Sequence, residues 1–281
     1  MRDPDVMSES LRITGGCSLE TPVEYYTHRD CEGWSVVLVG TYPIGEASYY
    51  TRLRRIVHEL AGAPGAVVDF EEVPWNPPED RLRASTAERR VVGGLIGAEE
   101  LQIGRAETLG WVAKQVSFQP SAGWRVHGIR ALELVRRAGL VVMEERARAV
   151  DQLLDWRDGD RRGPARYRLA VARAVRLQAR SRPAGLEHPA LVMYRAEAAV
   201  RAIDQVNRQQ VLVWDVQILP RLRAELLGRG LVRQRVEWHR VGQLPHRGAA
   251  VASLLLGWAL QPWPSRTAAA QAEPTATRTR E

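Results

Sequence analysis

Thr41-Tyr42 and Glu71-Glu72 each follow directly on a short apolar run, the place where a parallel sheet offers side chains to a ligand. A carboxylate and a phenol brought together there suit proton transfer, with Glu71 as base and Tyr42 as acid once burial raises the carboxylate. Arg208 would complete that candidate catalytic set with a cation, and Thr41, Glu72, Asn207 and Gln243 are candidate ligand-binding residues around it. Trp75, Trp124 and Trp238 stand near expected strand ends and are candidates for lining an apolar pocket. An equally economical reading pairs Glu71 with Arg208 as an ion pair that holds a helix on the sheet.

These residues need a scaffold, and the stretch from Trp34 to Val73 supplies it. Ser35 to Val39 is a β-branched apolar run, which reads as a strand buried on both faces. Gly40 to Gly45 punctuates it, and from Ser48 the period becomes helical, with Tyr49, Leu53, Ile56, Val57 and Leu60 on one face. Gly62, Pro64 and Gly65 stop that helix, and Ala66 to Phe70 forms a second apolar strand. A βαβ unit of this kind puts both carboxyl ends at one edge of the sheet.

Around this unit the chain predicts an α/β fold: a central mixed β-sheet flanked by helices, with a large helical insertion over about residues 130–226. Residues 1–33 form an N-terminal segment with an edge strand at Val23 to Tyr26, and 34–260 form one domain. A helical region from Glu79 to Gly110 is expected to break at Gly93-Gly94 and Gly97, and Gln115 to Phe118 reads as a third strand. A long helix is expected from Ala190, restarting at Pro220 and ending at Gly228, followed by a strand from Leu231 to Val241. Gly248 to Leu260 reads as a core helix, too short for the roughly 20 residues that a bilayer requires. Residues 261–281 lack periodicity and read as a disordered tail.

Composition narrows the function classes. Hydrophobic content of 45% and charged content of 26% fit a soluble, cytoplasmic globular chain with no membrane partner. The formal net charge is +7 over 281 residues, and Lys114 is the sole lysine, a bias of the kind that GC-rich, actinobacterium-like coding produces. The arginines are interleaved with acidic residues and form no dense block, so nucleic acid is not an expected partner. Cys17 and Cys31 read as a reduced pair, since the polar, acidic first ten residues are no signal peptide. The glycines at 93, 94 and 97 follow no strand and lack the Lys-Ser/Thr of a phosphate loop, which argues against a nucleotide cofactor.

The order of motifs resembles the TraB/GumN/Tiki family, related to ChaN-like and erythromycin-esterase-like proteins. Trp34 to Thr41 resembles its opening strand and Gly-Thr-x-His turn, and Val67 to Glu71 the strand that ends in its glutamate. Leu109 to Val112, Gln115 to Phe118 and Trp124 resemble a middle block, and Asn207-Arg208 a helical Asn-Arg pair. Val241 to Pro245 and Gly257-Trp258 resemble its closing turn and final motif. The resemblance implies metal-dependent peptide hydrolysis, with turn histidines and the glutamate at the metal.

Here Pro43 occupies the first histidine position and Gln243 the second, and neither is a good zinc ligand. The expected chain is therefore TraB-like with a degenerate metal site, no metal and no cofactor. It would act without metal on a small-molecule or peptide ligand, as a binding protein or as a cyclase, isomerase or resistance protein, and a homodimer is compatible with this. The alternatives are an active metallohydrolase using His239 or His246 with Glu71, and a non-catalytic scaffold.

Overall fold

A mixed seven-stranded sheet carries the chain in the computed structural model, which describes residues 10–15, 17–72, 82–128, 130–140, 168–173, 175–176, 189–204 and 209–245. The first half contains β1 (Arg12–Thr14), β2 (Ser18–His28), β3 (Ser35–Thr41), β4 (Ile44–Gly45), α1 (Ala47–Ala61), β5 (Val67–Glu71) and α2 (Thr86–Leu109). Then follow β6 (Val112–Ala113), α3 (Lys114–Ser117), β7 (Arg125–His127), α4 (Ala131–Ala138), α5 (Pro189–Ala202), β8 (Gln209–Asp215), α6 (Leu219–Gly228) and β9 (Leu231–Gln243).

Four strands run parallel in the spatial order β3, β8, β5, β7. β2 joins β3 antiparallel, and β9 runs along the other edge of β2. The short β1 folds back on the start of β2, and β4 pairs with β6 as a separate ribbon.

Strand alternation fixes which helix covers which face. Thr21 meets the Tyr49 hydroxyl of α1 at 2.9 Å, whereas Glu24, three residues on and therefore on the opposite face, receives Arg223 of α6. The register Val23↔Val39, Val39↔Val213, Val213↔Phe70 carries the α1 face across the sheet. Asp69 and Glu71 consequently face the other way, where Arg195 of α5 reaches Glu71.

With both faces covered, Val36 to Thr41 are all buried, as the continuous apolar run requires. Gly40 is needed there, because a Cβ would lie 2.8 Å from Leu219 Cδ1 and 3.0 Å from the Pro22 carbonyl. Tyr49, Tyr50, Leu53 and Val57 form the buried stripe of α1 at helical spacing.

The chain passes from β3 to β5 over the α1 face and from β8 to β9 by α6 on the opposite face. The ends of β3 and β8 therefore mark the point where the crossovers diverge, and Thr41 and Asp215 are register partners there.

The general α/β fold with a mixed sheet is as the sequence predicts, but several elements differ. Val23 to Tyr26 belong to an eleven-residue strand inside the sheet, because β9 closes over the edge that the sequence left open. Gln115 to Ser117 lie in the short helix α3; the strand pairing that precedes it is Val112–Ala113. The helical insertion over 130–226 is interrupted by β8, a central parallel strand in place of one long helix from Ala190.

α2 runs unbroken through Gly93, Gly94 and Gly97. Its ends explain this: Ser85 and Glu88 form a reciprocal capping box, and Gly110 closes the helix at φ 72°. Trp75, Asn207, Arg208, His246, the expected core helix from Gly248 and the tail fall outside the described residues.

Candidate functional site at the carboxyl edge of the sheet

Three adjacent strand ends carry acidic or basic side chains: Asp215 on β8, Glu71 on β5 and His127 on β7. Glu71 and His127 are register partners, so they sit side by side on the α5 face. Parallel pairing places them together although they lie far apart in sequence.

Glu71 is buried and fully engaged. Its Oε1 accepts Arg195 Nε at 2.8 Å, and its Oε2 accepts the backbone N–H of Asp215 at 2.8 Å. The Arg195 guanidinium also reaches Asp215 Oδ2 at 3.9 Å. Glu71 thus ties α5 to β5 and β8, the architectural one of the two roles that the sequence left open for it, there with Arg208 as the partner. The arginine that meets Glu71 among the described residues is Arg195.

His127 is backed by a buried carboxylate. Asp69 Oδ1 lies 2.5 Å from His127 Nε2 and 2.8 Å from Arg125 Nε, while Asp69 Oδ2 takes Arg125 Nη2 at 2.7 Å and Gln210 Nε2 at 2.6 Å. Arg125 in turn bridges to Asp204 at 2.8 Å. Burial alone would raise the Asp69 carboxyl, but hydrogen bonds from His127, Arg125 and Gln210 outweigh it and hold the pKa below the usual range. With Nε2 committed to Asp69, the imidazole has a fixed orientation and Nδ1 remains for other work.

Lys114 approaches from the α1 face. The β4–β6 ribbon brings it there, and its backbone N–H donates to the Pro43 carbonyl at 2.8 Å. Its Nζ lies 3.5 Å from the Glu71 carbonyl oxygen and 5.0 Å from the centre of the Phe70 ring. Burial pushes its pKa below the ordinary lysine range, and Arg195 adds to this against the opposing pull of Glu71 and Asp215. The edge is therefore flanked by a cation from each face, Arg195 and Lys114.

The residues singled out from sequence separate into two groups. Thr41, Tyr42, Glu71 and Glu72 do lie at this edge. Thr41 is fully buried opposite Asp215, and its hydroxyl has no hydrogen-bond partner among the described residues. Tyr42 is buried with its carbonyl held by Tyr50 at 2.7 Å, and burial together with nearby Asp215 raises its phenol pKa, keeping it neutral.

Glu72 donates its backbone N–H to the His127 carbonyl at 2.9 Å.

The other group lies elsewhere. Trp124 packs with Phe70, Phe118 and His58 on the α1 face. Trp238 lies on β9 under the Arg12 guanidinium, 4.2 Å from its ring centre. Gln243, at the end of β9, donates its backbone N–H to Glu46 at 3.0 Å. β9 and β5 are separated by β2, β3 and β8. At the usual strand spacing that is roughly 19 Å, so neither Gln243 nor His239 joins Glu71.

Among the described residues no group of three or more His, Cys, Asp or Glu side chains is placed to hold a metal ion.

His127, Asp69, Asp215, Arg195 and Lys114 were not singled out as site residues by the sequence reading. Asp215 had a usable signal, because Val211 to Trp214 is an apolar run ending in a carboxylate, like Val67 to Glu71. Lys114 had another, as the sole lysine. Arg195 had none.

No helix of the described residues is long and apolar enough to cross a membrane. No protein-family model, curated protein or solved structure matches the chain.

Proposed function

We propose that the chain binds a small molecule at the carboxyl edge of β8, β5 and β7 and moves a proton on it, without using a metal. His127 is the base, buried Asp69 fixes its orientation, and the frame of Glu71, Arg195 and Asp215 holds the strand ends in place. The observation that carries this reading is the Asp69–His127 pair beside Glu71 at the carboxyl ends of β5 and β7. An imidazole oriented by a buried carboxylate can remove a proton and stabilise the resulting imidazolium. Such chemistry suits an isomerase, cyclase or lyase.

This reading keeps the expectation of a TraB-like chain with an emptied metal position as part of the proposal. At that position Pro43 supplies a carbonyl that anchors Lys114.

The test is a thermal-shift screen of small carbonyl and carboxylate compounds in deuterated buffer, with NMR detection of hydrogen exchange at carbon. Compounds that stabilise the wild type and Trp238→Ala, and exchange a carbon-bound proton only while His127 is present, support the proposal. Equal binding and exchange by His127→Asn would refute it.

A further inference from the structure

We infer that Lys114 is a carbonyl-reactive amine and that the ligand of this edge is a small aldehyde or ketone held on its Nζ as an iminium ion. The inference rests on the proposed edge site and names its substrate class.

Three observations converge. First, the chain has 40 basic residues and one lysine, and that lysine stands at the strand edge beside Glu71. An arginine guanidinium cannot lose a proton, so among the 40 Lys and Arg side chains Lys114 is the one that can become a neutral amine.

Second, Lys114 is placed by structure on both sides of it. Pro43 holds its backbone, and the β4–β6 ribbon sets its direction.

Third, Nζ forms no ion pair among the described residues. The Glu71 carboxylate spends both oxygens on Arg195 and the Asp215 amide. The ammonium meets a carbonyl oxygen and the face of Phe70, and burial disfavours its charge more than Glu71 and Asp215 favour it. A half-buried amine in these surroundings loses its proton more readily than an exposed one.

The chemistry balances with the chain's own groups and solvent. The neutral Nζ attacks the carbonyl carbon; a C–N bond forms as the carbonyl π pair moves to oxygen, and a proton passes from nitrogen to that oxygen. The carbinolamine then loses its hydroxyl as water with one further proton from solvent, leaving a C=N bond that carries positive charge. That iminium withdraws electrons from the adjacent carbon, whose proton passes to a water molecule to give an enamine. No oxidant or reductant takes part.

The purified chain offers two classes of amine, Lys114 and the N-terminal α-amine, so labelling is simple to assign. Reductive dimethylation with carbon-13 formaldehyde, followed by NMR titration, is expected to place the Lys114 midpoint below that of an exposed lysine. Propanal or pyruvate with borohydride at pH 7.5 is expected to leave one reduced adduct on the peptide carrying Lys114. It should form faster than on Nα-acetyl-lysine amide, since a lowered pKa leaves more of the amine neutral at that pH. Lys114→Arg keeps the charge and should lose the adduct.

An ordinary titration midpoint, or an adduct confined to the N-terminus, overturns the inference. Both readouts use the wild type, so they stand even where the variant fails to fold. A compound that stabilises the edge through His127 without forming any adduct overturns the amine alone. An adduct on Lys114 with no His127-dependent exchange supports the amine and overturns the proton-transfer reading alone.

Discussion

Asp69 Oδ1 lies 2.5 Å from His127 Nε2, and the two residues belong to neighbouring parallel strands although they are separated by α2, β6 and α3 in the chain. Asp69 is fully buried and accepts from Arg125 and Gln210 as well, so it is the hub on which β5, β7 and β8 meet.

Asp69→Ala is therefore expected to destabilise the protein by about 3 kcal/mol at pH 7, since it removes the buried carboxylate that His127, Arg125 and Gln210 share. The folded carboxyl has a lowered pKa, so its contribution is present above the unfolded value near 4 and is lost as pH falls through the folded one. Urea unfolding at pH 7 and at pH 3 checks both points. A difference between wild type and variant that does not shrink at the lower pH would contradict them.

Glu24 and Arg223 form a second ion pair inside the protein, with Arg223 also donating to Ser10 at 2.9 Å and Tyr26 to Glu24 at 2.6 Å. Arg223→Met alone leaves a buried carboxylate and is expected to cost about 3–5 kcal/mol. The double change with Glu24→Leu should recover most of that loss, because a well-packed apolar pair replaces the ions. A double mutant as unstable as the single one would show that the pair contributes through packing and hydrogen bonding instead.

Gly242 on β9 faces the indole of buried Trp111, and a Cβ there would lie 2.6 Å from two ring carbons. Gly242→Ala is expected to cost about 2 kcal/mol by overpacking. Gly93, in the interior of α2, has open space around it, so Gly93→Ala should stabilise by about 0.5–1 kcal/mol through helix propensity. Paired thermal melts would test this opposition in sign.

His239 lies in the sheet opposite Thr21, and its Nε2 is buried without a hydrogen bond among the described residues. Burial lowers its pKa, with Arg52 adding to the effect against Glu237 and Glu20. The unfolded state then binds the proton first, so stability is full above about pH 6.5 and falls as pH drops from there to the folded pKa. His239→Gln should flatten that limb of the stability profile. A profile unchanged between pH 7 and pH 5 would mean that another group carries it.

The sequence by itself determined the β3–α1–β5 unit, the late strand and the position of Thr41, Tyr42, Glu71 and Glu72 at one sheet edge. These follow from local physics: a β-branched run, a change of period from two to 3.6, and glycines and prolines at the boundaries.

The tertiary structure decided the rest. β8 has the same apolar run as β3, yet its local pattern does not tell a buried strand from a buried helix; insertion between β3 and β5 settles it. Pairing is equally non-local at the site. Glu71 finds Arg195 because α5 crosses the sheet, and His127 finds Asp69 because β7 runs in register with β5. Lys114 was visible as a lone lysine, but its place at the edge depends on a hydrogen bond to Pro43 across a ribbon that only the folded chain forms. Strand order and helix crossing are set by which faces can be buried together, and this is a property of the whole chain that no single stretch of it contains.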